Sequence, residues 1–114
     1  MNIESIREYC ISKKAVSESF PFDETTLVFK VGGKMFALLG LDNNYINLKC
    51  NPEVAIERRE KFKEISEGYH MSKKHWNSVV YNESLSTDFI KQMIDESYDL
   101  VFNSLTKKAK SLII

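Results

Sequence analysis

The sequence predicts an α+β domain of two layers, an antiparallel sheet (a meander plus a later strand) packed by N-terminal, central and C-terminal helices. Three observations carry this. The apolar-rich runs Thr25–Val31 and Lys34–Gly40 flank Gly32-Gly33, a pair suited to a two-residue hairpin turn with positive φ at both positions. The links from there to Tyr45–Lys49 are too short for a crossover helix, so the strands must run antiparallel. Ile90, Ile94, Tyr98, Val101 and Leu105 recur every three or four residues, the period of a helix with one buried stripe.

Taken in order, Ile3, Ile6 and Cys10 share helical spacing, with Glu4, Arg7 and Glu8 on the other side. They predict a short first helix ending near Lys13-Lys14, whose charges suit the negative end of the helix dipole. Val16–Phe22, with Pro21 late in the run, reads as a strand at a sheet edge, where a missing N–H does least harm. In the hairpin, Leu27, Phe29 and Val31 should share one face of the first strand, and Met35, Ala37 and Leu39 one face of the second. Phe36 and Leu38 make the second strand apolar on both faces, which predicts a sheet covered in part on both sides. After the turn Asp42-Asn43-Asn44, Tyr45–Lys49 alternates as a half-exposed strand.

Asn51-Pro52-Glu53 combines a capping side chain, a first-turn proline and an acid at the positive helix end, so a helix should run to Phe62 or Lys63. Its mixed charges, Arg58 and Arg59 among them, predict a solvated face. Trp76 to Tyr81 alternates like a strand, and Asn82-Glu83-Ser84 is a turn. Ser86 caps the final helix, which the apolar stripe extends to about Lys107, with Lys107, Lys108 and Lys110 at its negative end.

The 114 residues fit one domain, 1–114, able to bury roughly two-thirds of its unfolded surface. Sixteen Lys+Arg balance sixteen Asp+Glu, so an anionic partner would need a local patch rather than a general basic excess. MNIESIREYC has no apolar run, and no stretch approaches the ~20 residues of a membrane span; no membrane role and a cytoplasmic location are expected. Cys10 and Cys50 lie outside any metal-binding spacing and are expected to be reduced. Cys50, just before a helix N-terminus, is the better candidate for a reactive thiol.

The most chemically loaded stretch is Gly68–Val80, GYHMSKKHWNSVV. It holds both histidines, the only tryptophan and two adjacent lysines, with no acid. Lysines meet phosphates, indoles stack on bases or sugars, and His or Asn donates hydrogen bonds. The candidate nucleic-acid-binding residues are therefore Tyr69, His70, Lys73, Lys74, His75, Trp76, Asn77 and Lys49, with Lys30 and Lys34 extending the patch. The plainer alternative is that Trp76 anchors a core and the lysines are ordinary loop charges. His70 and His75 share neither a strand face nor a helix face, so no metal site is expected. No P-loop, GxGxxG, GxSxG or HExxH motif is present, so neither a cofactor nor an enzyme activity is expected.

FPFDETTLVFKVGGKMFALLG (Phe20–Gly40), INLKCNPEVA (Ile46–Ala55), GYHMSKKHWNSV (Gly68–Val79) and DESYDLV (Asp95–Val101) together resemble the MmcQ/YjbR family across nearly the whole chain. The resemblance implies a secretion-chaperone-like α+β fold and a double-wing, DNA-binding arrangement, and brings no catalytic residues with it. The expected function is a small binding module for DNA. The alternatives are a protein-interaction or homodimer module using the sheet, and a small-molecule-binding protein built around His70, His75 and Trp76.

Overall fold

In a computed structural model describing residues 1–113, the chain forms α1 (Ile3–Ile11), β1 (Val16–Ser19), β2 (Thr26–Val31), β3 (Lys34–Gly40), β4 (Tyr45–Lys49), α2 (Pro52–Lys61), β5 (Ile65–Glu67), β6 (Trp76–Val80), α3 (Thr87–Asn103) and α4 (Lys107–Ser111). The strands make one antiparallel sheet in the order β1-β2-β3-β4-β6-β5. The predicted meander and later strand are both present. β5, which the sequence did not reveal, forms the far edge. No helix among the described residues is long and apolar enough to cross a membrane.

Each helix begins where a side chain satisfies the first free amides. Asn2 and Ser5 form a reciprocal capping box on α1. Asn51 caps α2 ahead of Pro52, and Ser86 caps α3. The helix expected to run to Lys107 stops at Asn103, and Thr106 caps a separate α4. Lys107 and Lys108 therefore open α4 instead of closing α3, so the dipole argument for them fails. Leu105 still packs inward, but from the turn between the helices. It lies where a Cβ on Gly32 would be, 2.6 Å from its Cδ1. Gly32 and Gly33 both have positive φ, 58° and 79°, as the hairpin turn requires.

The register corrects one prediction about faces. Phe29 pairs with Ala37 but Lys30 pairs with Met35, so Phe36 is the extra residue of a bulge in β3. The bulge turns Phe36, Ala37 and Leu39 all toward the helices and leaves Met35 and Leu38 on the opposite face. Phe36 is fully buried, edge-on to Tyr98 of α3 at 5.3 Å. Ser97 of α3 then ties helix to sheet at this point. Its hydroxyl donates to the Phe36 carbonyl at 2.5 Å and accepts from the Lys49 amide at 2.8 Å.

The main core lies between the sheet and α1 and α3. Ile6 and Cys10 come from α1, Ile90, Ile94 and Val101 from α3, and Phe29, Val31, Leu39, Ile46 and Val79 from the strands. The ion pairs also belong to this side: Arg7 with Glu18, Lys13 with Asp95, and Arg58 with Glu96. Arg58 also lies over the Phe89 ring, so the α2 charges are not simply a solvated face. Both cysteines are free and buried. Burial raises the Cys10 thiol to about 12, and burial likewise pushes Cys50 up despite the nearby Arg58. Cys50 is thus not the activated thiol its place before α2 suggested.

Candidate functional site on the open face of the sheet

The second face of the sheet carries no helix. Alternation and register place Lys30, Leu38, Tyr45, Asn47, Lys49, Trp76 and Ser78 on it, since directly paired residues share a face. The cover is a single loop, residues 68–75, which leaves β5, crosses this face and returns into β6. Val28, Leu38 and Trp76 form a small buried cluster beneath it, with Met35 and Met71 packed alongside. The sheet is indeed covered on both sides, but this side has a thin cover.

Polar groups hold that loop in place. The Gly68 amide donates to the Trp76 carbonyl at 2.9 Å. A Cβ at Gly68 would stand 2.7 Å from the Trp76 Cβ and 2.9 Å from its carbonyl oxygen, so only glycine allows this approach. The Tyr69 amide donates to Ser78 Oγ at 3.0 Å, and Asn47 Nδ2 donates to the Tyr69 carbonyl at 3.0 Å. Ser78 in turn donates to Asn47 Oδ1. At the other end, Arg59 of α2 donates to Asn77 Oδ1 at 2.9 Å and to the Lys73 carbonyl at 3.3 Å. The Asn77 amide group donates to the Ala55 carbonyl.

These contacts sort the predicted site residues. Trp76 is 8% exposed and Asn77 2%. The first is packed and the second is fully engaged with α2, so neither is free for stacking or for donating to a ligand. Lys73, Lys74, His75, Tyr69 and His70 are exposed, and Lys49 is half-buried. They do not form one patch. Tyr69 sits beside Tyr45, rings 5.9 Å apart, at the start of β4. The His75 backbone carbonyl accepts from the Cys50 amide just past the end of β4. At about 3.3 Å per residue the two ends of β4 are roughly 13 Å apart.

The loop therefore serves two regions. Ser72–His75 reaches the end of the open face that holds Lys49, and Lys30 and the exposed Lys34 lie at that same end on the hairpin. Lys30, Lys34, Lys49, Lys73 and Lys74 form no ion pair among the described residues. Tyr69–Met71 instead borders a cavity of about 480 Å³ at the opposite end. Its floor includes Leu38, Gly40 and Asn47, and its other walls are the β1–β2 loop at Phe22 and Asp23 and the β3–β4 turn at Asp42 and Asn43. His70 at its rim holds φ at 59°, a left-handed conformation uncommon outside glycine, and its ring lies 4.0 Å from that of Tyr69.

Sequence reasoning missed Arg59, Asn47 and Ser78 as the loop's anchors, and it missed the cavity. Asn47 and Ser78 had one available signal: both are polar residues inside alternating strands that pair with one another. Arg59 had none, because its partner lies eighteen residues away.

Fold and site define a small α+β domain whose antiparallel sheet is closed by helices on one face and by one anchored loop on the other. The YjbR family model matches residues 11–100, and the chain belongs to the YjbR family. It is 34% identical to the uncharacterized protein YbdF of Escherichia coli O157:H7, over 92% of this chain and 88% of that one. It is 28% identical to the uncharacterized protein YjbR of Escherichia coli K12, over 100% of this chain and 98% of that one. A crystal structure of a Deinococcus radiodurans protein with a DUF419 domain superposes with a TM-score of 0.89 at 32% identity, covering 97% of this chain and 86% of that one. A Pseudomonas syringae protein of known crystal structure gives 0.76 at 27% identity, over 89% and 99% of the two chains.

Proposed function

We propose that this domain is a binding module that takes a nucleic acid, DNA first, on the lysine-bearing end of its open sheet face. The observation that carries the reading is a cluster of lysines at one end of the sheet. Lys30 and Lys49 stand on the open face there, the Lys34 turn and the Ser72–His75 turn lie at the same end, and none of Lys30, Lys34, Lys49, Lys73 and Lys74 forms an ion pair among the described residues. A neutral chain can in this way present a cationic surface without a basic excess. Lys73 and Lys74 stand on a turn that Arg59 fixes from below. The backbone that carries them is thus fixed before a ligand arrives. The contacts offered are to phosphate, so the expected binding is salt-dependent and weak in sequence preference.

Fluorescence anisotropy with a short labelled duplex, across a salt series, tests this. Wild type should bind at low salt and release as salt rises. A Lys49→Ala/Lys73→Ala/Lys74→Ala variant should lower the slope of log K against log salt by roughly one for each lysine that contacts phosphate. Failure of wild type to bind at low salt, or an unchanged slope in the variant, would sink the reading.

A second reading, association through a sheet edge, has one observation in its favour. Phe20 and Phe22, just beyond edge strand β1, are 48% and 64% exposed. Against it, β1 has four residues and β5 three, and short edges resist pairing. Light scattering over a concentration series decides the matter, and a strict monomer closes this reading.

A further inference from the structure

The cavity at the far end of the open face has a chemistry opposite to that of the lysine end. Phe22, Tyr45 and Tyr69 supply aromatic surface, and the His70 ring lies tilted against Tyr69 at its mouth. Two carboxylates, Asp23 and Asp42, line it, and no lysine or arginine does. The amide and carbonyl groups of the floor are already committed. Asn47 is bonded at both ends of its side chain, and Asn43 Oδ1 accepts from the Tyr45 amide at 3.2 Å. Aromatic rings and the two carboxylates are prominent among the groups that still face the cavity.

Asp23 is suited to stay ionised. The Thr25 and Thr26 amides donate to Asp23 Oδ1 at 2.9 and 2.7 Å, and this bonding, led by Thr25, holds its carboxyl below the usual range. Asp42 makes no ion pair among the described residues. Burial first, then the neighbouring Tyr69 and Asp42, push the Tyr45 hydroxyl up, so that ring stays neutral at physiological pH. Phe22 is 64% exposed and Tyr69 56%. Large aromatic rings left in water on two facing walls of a concave site are unusual for residues with only a packing role. His70 adds a backbone conformation that such residues adopt mainly where local structure enforces it.

We infer that this cavity is a binding site for a small organic cation, an ammonium or guanidinium group received among Phe22, Tyr45 and Tyr69 and balanced by Asp23 and Asp42. Ring faces attract a cation through their quadrupole, and they do so best where water is partly excluded. The carboxylates supply the long-range attraction that selects charge over shape. The site does not depend on nucleic-acid binding, because it lies at the other end of β4 and uses none of the lysines.

The test is an NMR titration of the ¹⁵N-labelled protein with choline, and in parallel with 3,3-dimethyl-1-butanol, its uncharged isostere, and with acetate. Choline should shift the amides of Phe22, Asp42 and Tyr69 and leave those of Lys73 and Lys74 in place. The uncharged alcohol should bind roughly tenfold more weakly or worse. Asp42→Asn and Tyr69→Ala, both at exposed positions, should each weaken choline binding roughly three- to thirtyfold while the rest of the spectrum stays unchanged. Guanidinium and tetramethylammonium extend the series. The inference is overturned if none of these cations shifts the cavity amides. It is equally overturned if the alcohol or acetate binds as well as choline, or if both variants bind choline like wild type.

Discussion

The two faces of the sheet are closed by similar devices on very different foundations. On the helix side, the Ser97 hydroxyl joins α3 to two strands, and a large apolar core surrounds the joint. On the open side, the Ser78 hydroxyl joins the 68–75 loop to the sheet through Asn47 and Tyr69, but the buried apolar cluster beneath, among the described residues, is the small one of Val28, Leu38 and Trp76. The same kind of polar tie is global in one place and local in the other. Stability should therefore reside on the helix side, and the freedom to meet a ligand on the open side.

The sharpest way to break this comparison is to remove bulk from each face. Phe36→Ala empties a fully buried position against Tyr98 and Phe29 and should cost about 3–5 kcal/mol. Met71→Ala trims a partly buried side chain over the small cluster and should cost under about 1 kcal/mol. Urea denaturation of both variants measures the difference. Equal costs would mean that the loop is as integral to the fold as α3.

The contrast between the faces also explains what could be read from the sequence. The β2–β3 hairpin was legible because its apolar runs and Gly32-Gly33 are local signals, and they place the ends of both strands to within one residue. The bulge at Phe36 was not, since it depends on the register against β2. β5 escaped because three residues with one apolar side chain, Ile65, carry no period. The break after Asn103 escaped because Leu105 continues the apolar stripe of α3 while packing from a turn. In GYHMSKKHWNSVV the alternation was readable and the lysines were rightly placed on an exposed loop. What covers Trp76, and what occupies Asn77, depends on Met71 and Arg59, whose positions only the folded chain reveals.

A finer test compares the two hydroxyl ties. Ser97→Ala strands the Phe36 carbonyl and the Lys49 amide in a dry layer and should cost about 2–4 kcal/mol. Ser78→Ala strands the Tyr69 amide and Asn47 Oδ1, but the loop can lift and admit water, so the global cost should be about 1 kcal/mol. Hydrogen exchange separates the two. Ser97→Ala should speed exchange throughout the central strands, whereas Ser78→Ala should speed it at Tyr69 and its loop neighbours alone. A uniform loss of protection in Ser78→Ala would remove the distinction between global and local ties.

The smallest effect concerns charge, and it again divides the faces. Asp95 accepts from the Tyr9 hydroxyl at 2.7 Å and from the Lys13 ammonium at 2.5 Å. Burial pushes its carboxyl up, but the bonds from Lys13 and Tyr9 more than offset this, and the net direction is down. A carboxyl whose folded value lies below its unfolded value, near 3.9, contributes stability that is complete above the unfolded value. That contribution fades as pH falls through the folded value. Asp95 remains partly exposed, so its worth is at most about 1 kcal/mol. Asp95→Asn should thus be slightly less stable than wild type at neutral pH, with the gap closing as the solution is acidified below about pH 4. Lys73→Ala/Lys74→Ala, which removes charges with no carboxylate partner among the described residues, should track wild type through the same acid titration. A pH-dependent gap in the lysine variant would place an unseen acid beside those lysines. The open face would then lose the unpaired charge on which the proposed nucleic-acid binding rests.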